Sequence, residues 1–155
     1  MDAANIWLED IKSWYSEGTS SGVNGLANLI TNTPSVLFAP PISQTQSDAI
    51  AYFVDGCEKL QRLHQSEGRI DEAYNYLQFC YAKLQSLASH ADVEKEVKRW
   101  SLKKLDTIIV GMMEFCQQQQ DNAWIKESEV LVELHVAFMQ GQNGLNLYQS
   151  HRSFR

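Results

Sequence analysis

The chain has 155 residues, a length at which one domain can bury most of its apolar surface without a metal or disulfide staple. With 44% hydrophobic and 21% charged residues it excludes wholesale disorder, and no run of about 18 apolar residues offers a membrane span. A net charge of −6 weighs against general nucleic-acid binding, which draws its affinity from neutralising phosphates.

The opening residues lack the basic and apolar regions of a signal peptide. From about Ala4 to Tyr15, the side chains Trp7, Leu8, Ile11, Trp14 and Tyr15 share one face of a 3.6-residue period, which predicts a short amphipathic helix. Gly18 is expected to end it, with Thr19, Ser20, Ser21 and Gly22 as loop chemistry. Val23 to Ile30 reads as two further helical turns weakened by Gly25. Residues 31–43 hold Pro34, Pro40 and Pro41 in an uncharged run. They are expected to cross a surface as a linker without regular structure.

Ser43 and Gln46 have the spacing of a capping box. Ile50, Phe53, Val54, Cys57, Leu60 and His64 then follow helical spacing until Gly68 closes the helix. Next, Ile70, Ala73, Leu77, Cys80, Leu84 and Leu87 alternate steps of three and four, a heptad-like seam. Asp92 is placed to cap a longer helix carrying Val93, Val97, Trp100, Leu105, Ile108, Met112 and Phe115 or Cys116, which the run Gln117 to Gln120 interrupts. A last helix holds Trp124, Leu131, Leu134 and Phe138 and is expected to stop at Gly141. No segment alternates with period two.

The resulting expectation is an all-α fold, with long helices near 45–67, 70–89, 92–117 and 122–140. They would form an antiparallel four-helix bundle over residues 44–141, preceded by an extra N-terminal helical segment, 1–30, and followed by a flexible tail, 142–155.

The common chemical signatures are missing. No G-x-x-x-x-G-K-[ST] or G-x-G-x-x-G loop cradles a phosphate, and no H-E-x-x-H, paired C-x-x-C, calcium loop or helical Glu-x-x-His marks a metal. The sequence therefore names no catalytic residue, metal ligand or cofactor. Among His64, His90, His135 and His151, the first and third lie on or beside apolar stripes and read as core or boundary residues. Cys57, Cys80 and Cys116 are too few, too scattered and odd in number for a disulfide framework, which points to a reducing cytoplasm. Each occupies an apolar position of a helical pattern, where a thiol acts as a small hydrophobe. One local basic cluster stands out, Lys95, Lys98, Arg99, Lys103 and Lys104. Within it Lys95, Arg99 and Lys103 recur every four residues as a stripe.

Phe53-Val54-Asp55-Gly56-Cys57, with Leu60, resembles the segment that opens a main helix in flagellin export chaperones. Thr45-Gln46-Ser47-Asp48 stands where that family commonly has a Ser-Pro start. Leu105, Ile109 and Met113, then Asp121 after a polar break, are similar to its penultimate helix and turn, and Glu127 through Met139 to its closing helix. The likeness covers residues 45–139, roughly three fifths of the chain. It implies a cytoplasmic, non-enzymatic helical chaperone that shields an amphipathic helical export substrate of a flagellar or type III secretion system.

On that reading the partner would be held in apolar grooves lined by Leu60, Leu77, Leu84, Ile108 and Met112, with Lys95, Arg99 and Lys103 available to an acidic partner. The face Trp7, Ile11 and Trp14 would cover part of the groove or dock as a permanent fifth helix. The alternative is a structural subunit or regulator that oligomerises through the seam of residues 70–87.

Overall fold

The computed structural model describes residues 2–17 and 22–153, and for 143–153 the backbone only. Among the described residues the chain forms six α-helices and no strand, so the fold is all-α. They are α1 (Ala3–Glu17), α2 (Gly22–Thr31), α3 (Gln44–Ser66), α4 (Ile70–Ser89), α5 (Lys95–Gln118) and α6 (Asn122–Ser153). The loop chemistry expected at Gly18 to Ser21 lies outside the described residues. The chain divides into two compact units, Met1–Leu105 and Asp106–Arg155, with the division inside α5.

In the first unit, Asp2 starts α1 by accepting the Asn5 N–H at 2.8 Å, an N-terminal cap. Trp7, Leu8 and Ile11 are buried, as their spacing predicts, and Ala4 joins them. The Trp7 indole N–H donates to the Leu29 carbonyl at 2.8 Å, and the Trp14 indole to the Gly22 carbonyl at 2.8 Å. One indole thus reaches the end of α2 and the other its start, so α1 and α2 run antiparallel. Trp7 shares with the Thr33 hydroxyl a carbonyl in the last turn of α2, where the helix supplies no N–H of its own.

The proline-bearing stretch is not an unstructured linker. Ser35–Phe38 forms a 3-10 helix that buries Leu37 and Phe38, and the Pro40-Pro41 peptide bond is cis. Proline composition signalled the breaks correctly, but Leu37 and Phe38 carry enough apolar surface to draw the segment inward. Phe38 meets Phe53 edge-on at 5.2 Å, and Phe53 meets Phe79 at 5.6 Å, so the stretch is tied to α3 and α4.

The capping box at Ser43 and Gln46 is present, and α3 closes where Gly68 takes a φ of 79°. There Arg69 N–H returns to the His64 carbonyl and Gly68 N–H to the Gln65 carbonyl, the Schellman arrangement. This tight turn sends α4 back along α3. Every seam residue from Ala73 to Leu87 is buried.

α5 begins at Lys95 rather than near Asp92, whose N–H bonds instead to His90 Nδ1 in the preceding turn. Its buried stripe runs through Ser101, Leu105, Ile108, Met112, Phe115 and Cys116. Trp100 precedes Ser101 by one position, about 100° around the helix, and leaves the stripe. It is 42% exposed, a departure from its expected core position.

In the second unit the rest of α5 and α6 form an antiparallel hairpin. Phe115 meets Trp124 near the turn, with ring centroids 5.7 Å apart, and Asp106 meets His135 farther out at 2.7 Å. α6 does not stop at Gly141 but continues to Ser153, so the backbone of the expected tail is helical as far as that residue. Leu134, expected inside, is 64% exposed, and the neighbouring His135 is buried in its stead. The inward positions Trp124, Ser128, Leu131, His135, Phe138 and Gln142 keep heptad spacing with three polar members.

Candidate partner-binding site

The residues singled out as groove lining are all buried. Leu60, Leu77 and Leu84 are buried in the first unit, and Ile108 and Met112 are buried in the second. An amphipathic pattern shows that a face is apolar, not whether the chain itself or a partner covers it, and here the chain covers it. Trp7 and Ile11 are buried as well, and Trp14 is half-buried with its indole N–H bonded. Lys95, Arg99 and Lys103 are exposed along one side of α5, as expected.

The first unit instead has a pocket of about 280 Å³ lined by Ile42, Ser47, Ile50, Leu87, Glu96, Val97 and Trp100. Three local features build it. Glu94 accepts the Ile42 N–H at 2.9 Å, which ties the segment before α3 to the segment before α5. Ile50 and Leu87 are buried and supply an apolar floor from α3 and α4. Trp100, turned out of the buried stripe, supplies the wall. Ser47 and Glu96 are exposed and provide polar edges. No α1 residue lines this pocket, so the N-terminal helix does not act as its cover.

Two other cavities in this unit are larger. One of about 390 Å³ is lined by Ile30, Thr31, Glu72, Asn75, Tyr76 and Phe79, and one of about 320 Å³ lies between α1 and α2. Neither combines an exposed indole with a cationic flank.

The titratable groups elsewhere hold the fold. The Tyr15 hydroxyl donates to the Asp55 carboxylate, which also faces Lys59 Nζ at 3.8 Å. Burial, followed by that hydrogen bond and the carboxylate charge, pushes the Tyr15 phenol well above its usual range. Burial and then contact with Cys80 push the Cys57 thiol up, which keeps it protonated and unreactive. All three cysteines are buried and unbridged. His64 accepts from Arg69 Nε at 2.7 Å and stacks on Tyr76, while His135 bonds Asp106. Among the described residues no group of three or more His, Cys, Asp or Glu could hold a metal, and no helix is long and apolar enough to cross a membrane.

Sequence reasoning placed Ile50, Leu87, Val97 and Trp100 on apolar faces and missed that they converge around a cavity. A signal was available. Trp100 is out of phase with the step from Leu105 to Ile108 and Met112, and it stands within the basic cluster.

No family model matches the chain, and no match is found among curated proteins or solved structures.

Proposed function

We propose that the protein is a non-catalytic helical adaptor or chaperone that holds an amphipathic helix of another protein. The observation that carries this reading is Trp100, a large apolar side chain 42% exposed beside a concave apolar pocket. Exposed indoles next to such pockets are characteristic anchors of protein interfaces. The resemblance to flagellin export chaperones adds the substrate class, an export substrate guarded in the cytoplasm. The reading keeps four long antiparallel helices as its framework.

Full-length protein and a Trp100→Ala variant, each captured from the native host, test it. A partner that binds the purified wild type directly, and binds the variant at least about tenfold more weakly, supports the assignment. A direct partner that binds both equally removes Trp100 from the site.

A second reading, a self-associating subunit, rests on different residues from the expected seam, which is buried from Ala73 to Leu87. α6 exposes Ile125, Val130, Leu134 and Val136. Light scattering on the free protein decides this reading, a monomer at working concentration ruling it out.

A further inference from the structure

Trp100 lies on a helix whose charge opposes that of the whole molecule. From Glu94 to Lys104 there are five bases, Lys95, Lys98, Arg99, Lys103 and Lys104, against two acids, Glu94 and Glu96, a local net of +3 in a chain of −6. Side chains three and four positions apart are neighbours on a helix, so Lys103 and Lys104 stand beside Trp100, and Arg99 stands beside Lys103. One acid is already engaged, since Glu94 accepts the Ile42 N–H. A visitor to the pocket therefore meets an apolar cavity with one acid, Glu96, in its lining and the cations Lys103 and Lys104 one helical turn beyond Trp100.

Resting on the adaptor reading, we infer that the pocket around Trp100 receives a large apolar side chain from an acidic amphipathic segment of another protein, whose carboxylates lie along Arg99, Lys103 and Lys104. The floor of Ile42, Ile50, Leu87 and Val97 is aliphatic and suits a side-chain anchor. A single-stranded nucleic acid would need successive aromatic platforms, and this pocket offers one indole, edged by Glu96. Complementary charge sets orientation and speeds encounter, and the apolar anchor supplies the affinity.

The test is selection of helical peptides of about 16 residues, long enough for four turns, from a charge-balanced display library on the full-length chain. The account expects the enriched peptides to be net acidic with one large apolar anchor. Their binding should weaken at least about tenfold with Trp100→Ala and, separately, with paired Arg99→Glu and Lys103→Glu, and should fall as salt rises. Both sites are exposed, and circular dichroism confirms that each variant is folded before binding is read. Enrichment of basic or charge-neutral peptides that still need Trp100 overturns the acidic partner and leaves the adaptor reading standing. Acidic peptides indifferent to Trp100→Ala overturn the pocket. Tighter, Trp100-dependent binding of an oligothymidine probe than of any peptide overturns both and assigns the stripe to phosphate.

Discussion

Gln46 is the polar residue on which the start of α3 depends. Its Oε1 accepts the Ser43 N–H at 2.9 Å, completing the capping box, while its Nε2 donates to the Val36 and Ala39 carbonyls, each at 2.9 Å. Glutamate serves a capping box as well as glutamine does, but it has no N–H to give. Gln46→Glu is therefore expected to destabilise the protein by about 1–3 kcal/mol, the cost of losing both donated bonds and setting a carboxylate oxygen against the Val36 and Ala39 carbonyls, as read by urea denaturation. A neutral result would show that the 3-10 segment does not depend on these bonds. Tyr15 makes a pH-dependent contribution. Its neutral phenol is the form the fold favours, so its stabilisation is complete below the unfolded tyrosine pKa of about 10 and declines as pH rises above that value. Wild type should lose more stability than Tyr15→Phe between about pH 8 and pH 10.5, narrowing the gap between them. Parallel curves would contradict the burial of the Tyr15 phenol and its bond to Asp55.

At the scale of elements, the dipeptide Asp55-Gly56 joins the N-terminal helices to α3. Asp55 receives Tyr15 of α1, and a Cβ on Gly56 would stand 2.7 Å from the Ile30 Cδ1 and 3.4 Å from the Leu26 Cδ1 of α2. Gly111, on the open side of α5, has nothing within 4 Å of such a Cβ. Both are helix-interior glycines, for which alanine ordinarily adds about 1 kcal/mol of helix propensity. Gly111→Ala should show that gain in thermal denaturation, whereas Gly56→Ala should lose stability because Ile30 is fully buried and must move. Equal gains at both sites would contradict the close approach of α2. Leu84→Ala should cost about 2–5 kcal/mol, as expected where a buried leucine leaves a cavity, and a change below about half a kcal/mol would contradict its burial.

The elements were largely legible because their signals are local. Gly68, the Ser43–Gln46 pair and the seam from Ile70 to Leu87 each act within a turn or two. What escaped depends on partners distant in sequence. Phe38 is drawn in by Phe53, which no window around the prolines contains. At the other end, apolar periodicity chose Leu134 over His135, because burial of His135 requires its bond to Asp106, 29 residues away. The pocket was hidden for the same reason, since residues from the start of α3, the end of α4 and the start of α5 meet only in the folded chain.

Across the whole molecule, the first unit carries both the N-terminal helices and the pocket, and the second is a helical hairpin whose α6 exposes Ile125 and Val136 on one flank and Val130 and Leu134 on the other. The central claim is that a partner engages the first unit at Trp100. The four tryptophans allow that claim to be read directly, because their surroundings differ. Trp7 is buried and bonded to Leu29, Trp14 is bonded to Gly22, Trp124 contacts Phe115, and Trp100 stands at the pocket. Labelling the full-length chain with 5-fluorotryptophan gives each indole a fluorine resonance, assigned by single Trp→Phe variants. On titration with an acidic amphipathic peptide selected as above, the Trp100 resonance should shift with the binding isotherm while those of Trp7 and Trp14 stay in place. A saturating peptide that leaves Trp100 unmoved and shifts Trp124 instead would contradict the account and transfer the binding surface to the second unit.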